Sequence, residues 1–197
     1  MKVALERSYA LPAAADQAWK LLEDLERVAS CMPGASITER IDERHFKGTV
    51  SVRLGPASLK FRGEVEVLAL DPGGRTVQLR GTGADAGGGS AASLDLTARI
   101  EPKDAASSTL AGHAEASLSG KAATFGARVA DAVAQQVLQQ FADNFIAELE
   151  ARAAAGSGTA GAAAPQAPPP PKQLNALALL WGVVRAWLRS FFGARSR

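Results

Sequence analysis

The stretch that decides the fold is Gly120 to Glu150, GKAATFGARVADAVAQQVLQQFADNFIAELE. Its large apolar residues fall at every fourth position: Phe125, Val129, Val133, Val137, Phe141, Phe145 and Leu149. That spacing predicts one long helix after Gly120, with an apolar stripe that must be covered by another layer.

Upstream of it the period is two. Phe46, Val50, Val52 and Leu54 alternate with Lys47, Thr49, Ser51 and Arg53. Leu59, Phe61, Val65 and Val67 alternate with Lys60, Arg62, Glu64 and Glu66. Val77 and Leu79, then Leu94, Leu96 and Ile100, then Leu110 and Leu118 continue the pattern. Turn signals at Gly55-Pro56, Asp71-Pro72-Gly73-Gly74, Gly87-Gly88-Gly89 and Pro102-Lys103-Asp104 separate the runs. About six antiparallel strands follow between Ala35 and Ser119, and a first strand over Val3–Tyr9 makes about seven. Between them, after Pro12, a helical segment carries Trp19, Leu22 and Leu25 on one side and closes at Met32-Pro33-Gly34. The concave face of the sheet is the natural burial site for the last helix. Strand, short helices, meander and long helix is the order of an α+β helix-grip fold, a curved antiparallel sheet wrapped around its C-terminal helix.

The inward positions of the later strands are small: Gly81, Gly83, Ala98, Gly112, Ala114 and Ala116, with Ala122, Ala123 and Gly126 at the start of the helical stretch. Small residues on both layers either let helix and sheet approach closely or leave a cavity. A curved sheet around one helix closes only with large side chains, which favours the cavity. Its expected lining is Trp19, Met32, Val50, Phe61, Val65, Leu96, Phe125, Val129, Val133 and Val137, a surface for an apolar, ring-bearing or polyisoprenoid ligand.

Charge divides the chain. All 20 acidic residues lie at or before Glu150, and residues 1–152 carry 17 basic ones, a net −3. That balance excludes a nucleic-acid-binding body. Residues 153–171, AAAGSGTAGAAAPQAPPPP, have no charge and no large apolar side chain. They read as a linker spanning ~25 Å or more. Residues 172–197, KQLNALALLWGVVRAWLRSFFGARSR, hold five positive charges and no negative one.

On a helix, Leu177, Leu180, Trp181, Val184, Trp187, Leu188 and Phe191 occupy one half, with Phe192 beside them and Arg185 and Arg189 at the opposite edge. The uncharged run Gln173–Val184 is shorter than the roughly 17–25 residues of a spanning helix. Lying flat, the tail puts its aromatic face in the headgroup layer and its arginines on phosphates. A partner protein's groove would use the same anchors, as would docking back on the body. Glu6 and Arg7 interrupt any apolar leader, and the single Cys31 fits a reducing compartment. The expectation is a cytoplasmic protein, peripheral on the inner face of the cell membrane.

Few residues suggest catalysis. His45 sits in the polar run IDERHF, and His113 shares a strand face with Thr109, Glu115 and Ser117, so both read as solvated. No HxxxH, ExxH or CxxC spacing occurs, which argues against a metal site. Cys31 has no histidine near it in sequence and reads as a small buried thiol. The run Gly81-Thr82-Gly83-Ala84-Asp85-Ala86-Gly87-Gly88-Gly89 lacks the GK[ST] ending of a phosphate loop. It reads as a hairpin end or lid at the rim, where Asp85 could orient a polar headgroup.

With these residues in place, the chain resembles the CoxG family of carbon monoxide dehydrogenase accessory proteins, a branch of the START-like (SRPBCC) superfamily. The resemblance rests on Cys31-Met32-Pro33-Gly34-Ala35, Phe46-Lys47-Gly48 through Leu54-Gly55-Pro56, Phe61-Arg62-Gly63 and Gly81-Thr82-Gly83-Ala84-Asp85 followed by Gly87. Thr109, Gly120, Ala122 and Phe125-Gly126-Ala127-Arg128 extend it. It implies a non-enzymatic accessory protein with a hydrophobic cavity and neither a metal nor a covalent cofactor. Its implied role is to recruit a molybdenum hydroxylase of the carbon monoxide dehydrogenase type to the membrane, with a quinone as candidate ligand. A stand-alone START-like carrier of a lipid or other apolar small molecule is the alternative.

Overall fold

The computed structural model describes residues 1–54 and 57–157. The chain begins with β1 (Lys2–Leu11), followed by two short helices, α1 (Ala15–Leu22) and α2 (Leu25–Cys31). Six strands then follow: β2 (Ala35–Arg40), β3 (His45–Leu54), β4 (Ala57–Asp71), β5 (Thr76–Asp85), β6 (Ser90–Pro102) and β7 (Ser108–Gly120). A 3-10 turn, Lys121–Phe125, leads into the long α3, Ala127–Ser157.

All seven strands form one antiparallel sheet in the order β1-β7-β6-β5-β4-β3-β2. The meander from β2 to β7 pairs each strand with the next, as expected, and the structure adds that β1 closes on β7. The helix-grip architecture is confirmed: the curved sheet wraps α3, which comes close to β1 near one edge and to β3 near the other.

Gly63 marks a close approach of two strands. A Cβ there would sit 1.8 Å from the Thr82 carbonyl oxygen and 2.6 Å from the Gly83 Cα. β4 and β5 therefore approach more closely at that point than any side chain permits.

One helix was expected after Gly120, but the segment breaks in two. Gly120 and Gly126 both take positive φ, 67° and 81°, which glycine adopts without a Cβ clash. Between them the chain makes the separate 3-10 turn, so Phe125 lies ahead of α3 rather than on it. The turn is fastened where the Ala122 N–H donates to Ser90 Oγ at 3.0 Å. At its other end α3 continues past Arg152 to Ser157.

The core lies at one end of the grip. Leu11, Trp19, Leu21, Leu22, Val77, Ile100, Leu110, Phe141, Phe145 and Leu149 are buried there between α1, α2, the sheet and the second half of α3. Phe141 and Phe145 pack with ring centroids 5.8 Å apart. Polar ties hold the layers together. Ser108 Oγ donates to the Ala13 carbonyl at 2.8 Å, buried, and Asn144 Nδ2 donates to the Cys31 carbonyl at 2.8 Å. Arg152 pairs with Glu148 at 3.2 Å and Asp24 at 3.3 Å, pinning α3 against the α1–α2 turn.

Candidate functional site: an open apolar trough

Register assigns the inward face. Val50 pairs with Phe61 across β3–β4, and Phe46 with Val65. Val65 pairs with Gly81, Gly81 with Leu94, Leu94 with Ala116 and Ala116 with Val3. These side chains share the concave side with the core residues, yet at this end no large group among the described residues covers them. Val50 is 39% exposed, Val65 38% and Leu94 37%. The interior is thus packed at one end and an open apolar trough at the other.

Small residues sort the same way. Ala98 and Ala114 are buried and belong to the packed part. Gly81 faces the trough, and a Cβ there would meet only Leu94 Cβ at 3.8 Å. Gly83 serves the close approach to Gly63 rather than any void.

The residues expected to line the site divide accordingly. Val50, Phe61 and Val65 come together on β3 and β4, with Leu96 half-buried on β6. On α3 the side that meets the sheet carries Asp131, Phe145 and Leu149, and helical spacing turns Val129 and Val133 away from it, so these two expected lining residues stand off the inner face, with Val137 half-buried at its edge. Phe125 is half-buried on the 3-10 turn. Trp19 is buried in the packed end and Met32 packs against it, so neither stands among the open residues. Residues 153–157, expected to open the linker, are the last of α3. The rest of the linker and the tail residues, among them Leu177, Leu180, Trp181, Val184, Arg185, Trp187, Leu188, Arg189, Phe191 and Phe192, lie outside the described residues.

Sequence reasoning missed a polar element in the wall. Val3, Leu5, Tyr9 and Leu11 point inward from β1, and Arg7 is in phase with them. Its guanidinium lies 4.0 Å from the Asp131 carboxylate on α3, with both side chains partly exposed. Tyr9 is next to it, and burial raises its pKa, with Arg7 opposing the shift and Asp143 adding to it. A charge standing in the apolar phase of a strand was the available signal. Together these groups offer a donor and a phenol to an oxygen-bearing ligand in an otherwise greasy space.

The remaining ionisable candidates stand apart. Cys31 is buried, and desolvation, then the Glu148 charge, raises its pKa, the opposite of what activates a nucleophile. His45 Nδ1 lies 2.9 Å from Asp42 and its Nε2 3.9 Å from Glu66, while His113 lies 3.8 Å from Glu115. Both histidines belong to the outward phase of their strands. Among the described residues no acidic, histidine or cysteine cluster could hold a metal ion, and no helix is long and apolar enough to cross a membrane. A separate depression of about 400 Å³ lies between α2 and β2, where Glu26 and Arg40 pair at 3.8 Å.

Known structures share the architecture. A conserved protein from Geobacillus kaustophilus aligns with TM-score 0.68 at 21% identity, covering 75% of this chain and 95% of that one. The Zhui aromatase/cyclase from Streptomyces sp. R1128 aligns at 0.59 and 17%, covering 79% and 99%. A START superfamily protein from Mycobacterium smegmatis aligns at 0.54 and 13%, covering 76% and 98%. At such identities the likeness is one of fold alone. No curated protein matches the chain in sequence. The family profile for CoxG, described as a subunit of carbon monoxide dehydrogenase, matches residues 8–150, the whole grip from β1 into α3, and the chain belongs to that family.

Proposed function

We propose that this protein is a non-enzymatic accessory protein that holds an apolar, ring-bearing ligand, a quinone, in the trough. In this reading it also recruits a molybdenum hydroxylase of the carbon monoxide dehydrogenase type to the cytoplasmic face of the membrane. The observation that carries the ligand reading is the exposure of Val50, Val65 and Leu94 on the inside of the grip. Apolar side chains turned inward yet reached by water gain on the order of 25 cal/mol per Å² when a ligand covers them. Arg7 and Tyr9 on the wall suit a carbonyl or hydroxyl of such a ring. Family membership supports the enzyme partner, and the basic, aromatic tail supports the membrane.

Titration of the full chain with ubiquinone-1, followed by intrinsic fluorescence and native mass spectrometry, tests the ligand. One-to-one binding that is lost in Leu94→Glu supports it. An empty protein at saturating quinone overturns it. Flotation with anionic vesicles tests the tail, and equal recovery of a chain lacking residues 172–197 overturns that part.

A further inference from the structure

The trough has a rim, and the rim is charged. The β3–β4 and β5–β6 hairpins, the end of β7, the 3-10 turn and the start of α3 all meet at the open end of the grip. They place Arg53, Lys60, Arg62, Lys121 and Arg128 there, all exposed. Asp85 is the acidic residue among them, half-buried and accepting from the Lys60 N–H at 3.3 Å. Among the described residues none of the five cations has an ion pair. With these set aside, residues 1–152 retain 12 basic and 19 acidic groups. An acidic body therefore carries a cationic collar around its apolar opening.

We propose that this collar docks the open end onto a bilayer bearing anionic phospholipid headgroups, mouth toward the lipid. The proposal rests on the membrane reading above but assigns the contact to the body itself, independently of the tail. Five unpaired cations on one end of a net-acidic body orient it in the field of an anionic surface. An acidic protein would satisfy the cations and leave the exposed apolar residues of the mouth in water. A bilayer satisfies both, because headgroup phosphates lie directly above hydrocarbon. Ligand transfer between trough and membrane then needs no passage through water.

The test uses the full chain with an environment-sensitive fluorophore on Thr124→Cys, at the mouth, or on Ala105→Cys, in the β6–β7 turn at the far end. Vesicles are phosphatidylcholine with or without phosphatidylglycerol. The expected result is a blue shift and quenching by lipid-borne quenchers at position 124 only, and only with phosphatidylglycerol. Arg53→Glu/Lys60→Glu/Arg62→Glu should weaken that response at least about tenfold while tail-driven recovery persists. The corresponding glutamine triple should give a smaller loss, and salt should mimic both.

If vesicles are recovered but the two labels respond alike, or the triple variant is unchanged, the collar proposal fails and the membrane reading stands. If the chain is not recovered with any vesicle, both fail. A mouth label that answers soluble polyglutamate and not vesicles assigns the collar to an acidic protein and overturns the proposal.

Discussion

Asn144, on α3, donates its side-chain amide to the carbonyl of Cys31 at 2.8 Å, across 113 positions of sequence. Cys31 is the last residue of α2, so this bond satisfies an end carbonyl of a seven-residue helix and fixes that helix to α3. Asn144→Ala is expected to destabilise the protein by about 1 kcal/mol, a few degrees in Tm. Asn144→Asp cannot donate and should cost at least as much. Thermal denaturation of the three proteins side by side checks the order.

The two halves of α3 should respond differently to truncation. Phe145 is fully buried, and Phe145→Ala is expected to cost about 3–5 kcal/mol. Val129, more than a third exposed near the start of α3, should cost well under about 1 kcal/mol on truncation to alanine. Val65→Ala, on the inner face of β4 and 38% exposed, should be similarly mild for stability yet weaken ubiquinone-1 binding severalfold. Urea melts and ligand titrations on the same samples separate the two effects.

Two glycines on β4 and β5 give an opposed pair. Gly63→Ala places a methyl 1.8 Å from the Thr82 oxygen, so the strands must part; an expected loss above about 2 kcal/mol follows. Gly81→Ala meets only Leu94, at 3.8 Å, and should fold normally while narrowing the trough. Soluble yield and Tm report the first, and a reduced affinity for bulky quinone analogues reports the second.

The Cys31 thiol is held above its ordinary value by burial, with Glu148 adding to the shift. Because the folded state favours the protonated thiol, its contribution is complete below the unfolded value and fades as pH climbs through the raised one. Tyr9, raised chiefly by burial, acts in the same direction at higher pH. Stability should therefore decline on the alkaline side, and Cys31→Ser should remove the earlier part of that decline. Reaction with a disulfide reagent at mildly alkaline pH should be slow in the native protein and immediate in urea.

Arg7→Met should leave stability within about 1 kcal/mol, since its pairing with Asp131 at 4.0 Å is partly exposed. Binding of a quinone should drop, whereas binding of a plain aromatic hydrocarbon probe should not. Competition between the two probes on wild type and variant is the measurement.

Alternation made most of this fold readable in advance: about seven strands, a meander of consecutive hairpins and the last helix, though not the pairing of β1 with β7. What it could not reveal depends on backbone angles and on the third dimension. The break before α3 needs two glycines at positive φ, which composition does not distinguish from any other glycine. Trp19 reads as a pocket residue along one helix, yet α1 covers the packed end and takes it into the core. Arg7 was visible as a charge in an apolar phase, and the cationic collar emerges only once register brings three hairpin and helix ends side by side.

The crowding of Gly63 against Thr82 and Gly83 also bears on how such a vessel evolves. Because main-chain proximity rather than interior bulk sets the spacing of β4 and β5 there, that spacing does not depend on which side chains line the inner face. A valine or a leucine on that face can thus be exchanged without redrawing this strand pair.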